Sequence, residues 1–89
     1  MTSRWSRNPE VLWRRCGEKI VMLVPGSADP IVLEGSGERA WELLADPIDS
    51  EDLAVGLAEL YDTDVRTVEQ DLESFLGELE TVGAAAREQ

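Results

Sequence analysis

The sequence predicts an α+β fold, a three-stranded antiparallel β-sheet followed by three helices, and three observations carry that prediction. Short β-branched and apolar runs crowd into residues 1–34, separated by clusters of turn formers. From residue 36 onward, apolar residues return at spacings of three and four instead. The charge divides at the same place: five bases against four acids leave residues 1–34 at +1, while three bases against 15 acids leave residues 35–89 at −12. With 89 residues, 43% of them hydrophobic and 30% charged, the chain suffices for one modest core and one domain.

The strands come first. Val11-Leu12-Trp13 and residues 20–24 (IVMLV) are apolar runs separated by Cys16-Gly17-Glu18, and Gly17 makes a tight hairpin the expected link. Residues 25–30 (PGSADP) are dense in turn formers and reverse the chain again. Ile31, Val32 and Leu33 then form the third strand. Pro30 at its start lacks an N–H and so favours an edge position.

Three helices follow. Ser36 reads as an N-cap with Glu38 in the first turn, and Ala40, Trp41, Leu44 and Ala45 continue at helical spacing until Asp46-Pro47. Asp49 or Ser50 opens a second helix with Leu53, Ala54, Leu57, Leu60 and Tyr61 on one stripe. Asp64 caps the third, where Val65, Val68, Leu72, Phe75, Leu79 and Val82 recur, and Gly83 suits its C′ position. Residues 1–8 are expected to be a flexible segment, 9–83 the folded domain and 84–89 a flexible tail. Trp13 and Trp41 read as core, whereas Trp5 sits in the segment expected to be mobile or to pack across the sheet. Gly56 and Gly77 each cost about 1 kcal/mol mid-helix relative to Ala, so each is either tolerated drift or a place where another backbone passes close by.

The composition excludes several activities. No histidine is present, which removes Ser-His-Asp and Cys-His catalysis and imidazole metal ligands. The single Cys16 makes neither an internal disulfide nor a thiolate cage, and it has no base to activate it. The pattern Gly35-Ser36-Gly37-Glu38-Arg39-Ala40 matches G-x-G-x-x-A between a strand and a helix. No second parallel strand follows, however, and Glu38 would face the phosphate, so a tight strand-to-helix turn is the better reading. The acids at 46, 49, 51, 52, 62 and 64 lack calcium-loop spacing and suit helix first turns. No catalytic residue, metal or cofactor is expected. The chain lacks a signal peptide and a run long enough to span a bilayer, so a cytoplasmic protein without membrane contact is expected.

A small sheet ahead of three helices, the last the longest, is winged-helix-like. In nucleic-acid readers of that outline the last helix enters the major groove, but here it carries Glu69, Asp71, Glu73, Glu78 and Glu80 against Arg66 alone. No nucleic-acid partner is expected. A winged-helix regulator or adaptor is the alternative class, and it would need a positive face built from Arg4, Arg7, Arg14 and Arg15. The features left are an exposed sheet edge and an acidic amphipathic helix, which suit an added peptide strand of basic character.

The strand pair, the run PIVLEGSGERAWELL, the acidic capped helix, and Tyr61-Asp62-Thr63-Asp64-Val65 leading into VEQDLESFLGEL together resemble the PqqD-like family, over residues 9–83. The resemblance implies a non-catalytic recognition element for ribosomally made, post-translationally modified peptides (a RiPP recognition element). Such a domain binds the leader region of a precursor peptide by strand addition and presents it to a modifying enzyme. It implies backbone pairing by Ile31, Val32 and Leu33, with Val65, Glu69, Leu72, Glu73 and Leu76 as the opposite wall and Val68, Phe75 and Leu79 in the core. The expected partners are a basic leader peptide and a leader peptidase of a lasso-peptide pathway. A PqqD-type chaperone serving a radical SAM enzyme is the alternative within the family.

Overall fold

In the computed structural model, which describes residues 3–88, the chain runs β1 (Arg4–Arg7), β2 (Leu12–Cys16), β3 (Lys19–Leu23), β4 (Ile31–Glu34), α1 (Ser36–Leu43), β5 (Ile48–Asp49), α2 (Ser50–Tyr61), α3 (Val65–Val82) and β6 (Ala85–Glu88). The expected sheet is present as β2-β3-β4, antiparallel throughout, pairing Leu12 with Leu23, Cys16 with Lys19, and Ile31 with Met22. Gly17 holds φ +65° at the first position of the two-residue loop and Glu18 a negative φ, the combination of a II′ hairpin. β4 is an edge strand, as Pro30 foretells.

A second sheet, in the order β5-β1-β6, corrects the expectation of flexible ends. β1 pairs antiparallel with β6 from Arg4–Glu88 to Arg7–Ala85, and Asn8 extends the tie by donating Nδ2 to the Gly83 carbonyl at 2.9 Å. The reason is Trp5: only 3% exposed, its indole joins the core with Ala85 and Ile48 of the flanking strands and anchors β1. Met1, Thr2 and Gln89, at the outer ends of the two segments expected to be flexible, lie outside the described residues.

The helices largely follow their signals. Asp64 caps α3, accepting from the Arg66 N–H at 2.9 Å. Gly83, at φ +86°, ends it in a Schellman motif: Ala84 N–H donates to Leu79 O at 2.8 Å and Gly83 N–H to Glu80 O at 3.1 Å. That motif turns the chain straight into β6. Ser36 is the first helical residue of α1 and not its cap; the cap is Gly35, at φ +62°, so conformation rather than a side-chain bond starts the helix. In α2 the buried stripe is Leu53, Ala54, Leu57 and Ala58. Leu60 and Tyr61, expected on that stripe, are exposed, Tyr61 at the rim of a cleft it shares with α3.

Trp41, Ile20, Met22, Leu44, Leu53 and Leu76 are completely buried and centre the core. Trp13, expected inside, is 42% exposed, on an edge strand whose five residues are all exposed; its ring packs edge-to-face with Trp41 at 6.2 Å. Gly56 meets the Leu43 side chain, which a Cβ would approach to 3.3 Å, while Gly77 faces open space, so no backbone passes close to either. No helix among the described residues is long and apolar enough to cross a membrane.

Candidate peptide-binding site

β4 pairs with β3 on one side only, so its other edge presents backbone N–H and C=O groups among the described residues. Leu33 faces the core, Ile31 is half-buried against it, and Val32, 51% exposed, faces away from the helices. Immediately after this strand, Gly35 turns the chain into α1. A Cβ on Gly37 would lie 3.2 Å from Phe75 Cε1 and 3.9 Å from Leu33 Cβ, so α3 passes the end of β4 at that point. At the other end of the helix, a Cβ on Gly83 would lie 3.6 Å from a methyl of Val24, the residue after β3. α3 thus passes the C-terminal end of β4 at Phe75.

The two flanks of α3 face different places. At 100° per residue, positions 68, 71 and 75 share one flank and positions 69, 73 and 76 the other. The first flank lines a small cleft of about 100 Å³ with Gly37, Leu57 and Tyr61, next to the end of β4. The second lines a larger cleft of about 420 Å³ with Trp5, Ser50 and Arg87, against the second sheet. Leu72 borders both.

The residues singled out from sequence therefore separate. Ile31, Val32 and Leu33 stand on the edge strand as expected. Of the five wall residues, Leu72 alone reaches the cleft beside Gly37. Leu76 is in the core, Val65 packs on it, and Glu69 and Glu73 line the cleft with Trp5. Val68 and Phe75, assigned to the core, are half-buried and line the cleft near β4, together with Asp71. The amphipathic spacing shows which residues of a helix turn inward, but not which neighbour each flank meets.

Most of the four arginines required for a positive face are already engaged by other groups. Arg4 pairs with Glu88 at 3.9 Å. Arg15 bonds Glu38 and reaches Glu42 at 2.8 Å; the hydrogen bond to Glu38 is the main reason its guanidinium holds its proton more tightly than usual. Arg7 lies over the Trp13 and Trp41 rings at 4.8 and 4.6 Å, and burial pushes its pKa down. Only Arg14 of the four has no such partner among the described residues. Three of the four are thus engaged, which leaves little free charge for the positive face that a winged-helix regulator or adaptor would need.

A family model described as Coenzyme PQQ synthesis protein D (PqqD) matches residues 19–84, from the start of β3 through the end of α3. The chain belongs to the PqqD family. Both the edge strand and the helix near its end lie inside the span shared with PqqD, whereas β1, β2 and β6 lie wholly outside it. Among solved structures, the chain is similar to that of TbiB1 in complex with the TbiA(beta) leader peptide, at 26% identity and a TM-score of 0.77, covering 85% of this chain and 88% of that one. No curated protein matches it.

Proposed function

We propose that this PqqD-family protein binds the leader region of a precursor peptide and presents it to a separate modifying enzyme. The observation that carries the reading is the unpaired edge of β4, whose end leads at Gly37 into the cleft lined by Val68, Asp71 and Phe75 of α3, in a fold shared with a protein solved with a leader peptide on it. The leader adds as a further strand along Ile31, Val32 and Leu33. An apolar side chain of the leader enters the cleft formed by Gly37, Val68 and Phe75. Asp71 at that cleft, within a helical half at −12, favours a basic leader.

The magnitudes are sufficient. Four backbone hydrogen bonds at about 1 kcal/mol each and two anchored apolar side chains at about 2 kcal/mol each give roughly 8 kcal/mol gross. Ordering the peptide removes part of that, so the expected affinity is micromolar. Following the family resemblance, the enzyme served is a leader peptidase of the lasso-peptide kind, with a radical SAM enzyme as the alternative; co-purification with each candidate separates the two. The role is recognition, not catalysis.

The deciding experiment is an NMR titration with the precursor peptide encoded beside this gene. Amides 31–34 and 68–75 shift if the reading holds. Saturating peptide that leaves both segments unmoved overturns it.

A further inference from the structure

The sheet has a second unpaired edge, β2, on the side away from β4. All five of its residues are exposed, Leu12 by 72%. Beside it opens a cavity of about 340 Å³ whose walls include Arg7, Pro9, Trp13, Trp41, Leu44 and Pro47. Two hydrogen-bond donors belong to that wall and are incompletely used. The Trp41 indole Nε1–H is buried with no acceptor. Arg7 spends Nε and Nη2 on the Trp41 carbonyl oxygen, while its Nη1 makes no hydrogen bond among the described residues.

We propose that β2 and this cavity form a docking site for an extended acidic segment of a partner protein. The segment adds as a strand along residues 12–16 and places a carboxylate side chain against Arg7, which covers the buried Trp41 ring. Charge sets the choice of occupant. β2 itself carries Arg14 and Arg15 and no acid. Arg15 is already held by Glu38 and Glu42, so the free charge is that of Arg14, which has no ion-pair partner among the described residues, with Arg7 beside the cavity. Asp71 and the −12 charge of the helical half disfavour such a segment at the cleft near β4, while at the β2 site Glu42 and Asp46 act on Arg7 and leave Arg14 as the cation unpaired among the described residues. A strand of five residues spans about 17 Å, room for alternate side chains to reach the cavity and the solvent.

Edge arginines also serve merely to keep sheets from pairing with one another, and that role explains Arg14 on its own. It does not explain a cavity beside the edge walled by two tryptophans with a buried, unanswered N–H. The docking reading accounts for both, and it is independent of the leader site on β4.

Two synthetic ten-residue peptides, one alternating valine with glutamate and one alternating valine with lysine, provide the test against the full ¹⁵N-labelled chain at low salt. The acidic peptide shifts amides 12–16 and the Trp41 indole N–H, leaving 31–34 still, with a dissociation constant under about 1 mM. Arg14→Glu, at an exposed position that leaves the fold intact, weakens that binding by about tenfold. Three results overturn the proposal: no shift at 12–16 up to that concentration, shifts confined to 31–34, or unchanged affinity in Arg14→Glu. The lysine peptide reports separately on β4, so failure at one edge is distinguishable from failure at the other.

Discussion

Phe75 of α3 stands against Gly37 of α1 so closely that a methyl group on Gly37 would come within 3.2 Å of the ring carbon Cε1. This contact joins the longest helix to the turn that follows the edge strand, and it shapes the cleft at the end of β4. Gly37→Val should fill that cleft and displace the ring, costing about 1–3 kcal/mol of stability. Leader affinity should fall further than the stability loss alone explains, as urea melts and titration calorimetry on the same variant would show.

The two flanks of α3 make separable electrostatic predictions. Asp71→Lys should weaken binding of a basic leader by about tenfold at low salt, because Asp71 borders the cleft beside Gly37. The double substitution Glu69→Lys with Glu73→Lys, on the flank facing Trp5, should have the smaller effect although it changes twice the charge. The reverse ranking would place the leader in the larger cleft.

Trp5 tests the second sheet. Burying its indole between β1 and the core makes the N-terminal strand part of the folding unit. Trp5→Ala should cost about 3–5 kcal/mol, enough to leave a domain this small largely unfolded. Circular dichroism melts of the variant would decide it; a midpoint unchanged from the parent would mean that β1 contributes nothing.

Glu38 is a nearly buried carboxylate held by Arg15 across the gap between α1 and β2. Removing the cation strands that charge, so Arg15→Met should lower the thermal midpoint clearly. Lys19→Met, which breaks the exposed pair with Glu34 at 3.6 Å, should barely move it. Comparing the two melts isolates burial from pairing.

Gly77 sits mid-helix with no atom near the position its Cβ would take. Gly77→Ala should therefore stabilise the protein by about 0.5–1 kcal/mol, through helix propensity and a less flexible unfolded chain. Chemical denaturation would read the gain directly, and leader binding should be unaffected because the residue lines neither cleft.

Local chemistry in the sequence determined the hairpin at Gly17, the edge placement of β4 behind Pro30, the Asp64 cap, the Gly83 stop and the core position of Trp41. Each of these depends on a residue and its near neighbours, which is why it is legible without coordinates. Only the tertiary structure decided that residues 4–7 and 85–88 pair, since RWSR and AARE carry no strand pattern and the contact closes nearly the whole chain. It also decided the rotation of α3: helical spacing separates inside from outside, but whether Phe75 or Glu73 meets the edge strand depends on how the helix packs against α1 and the sheet.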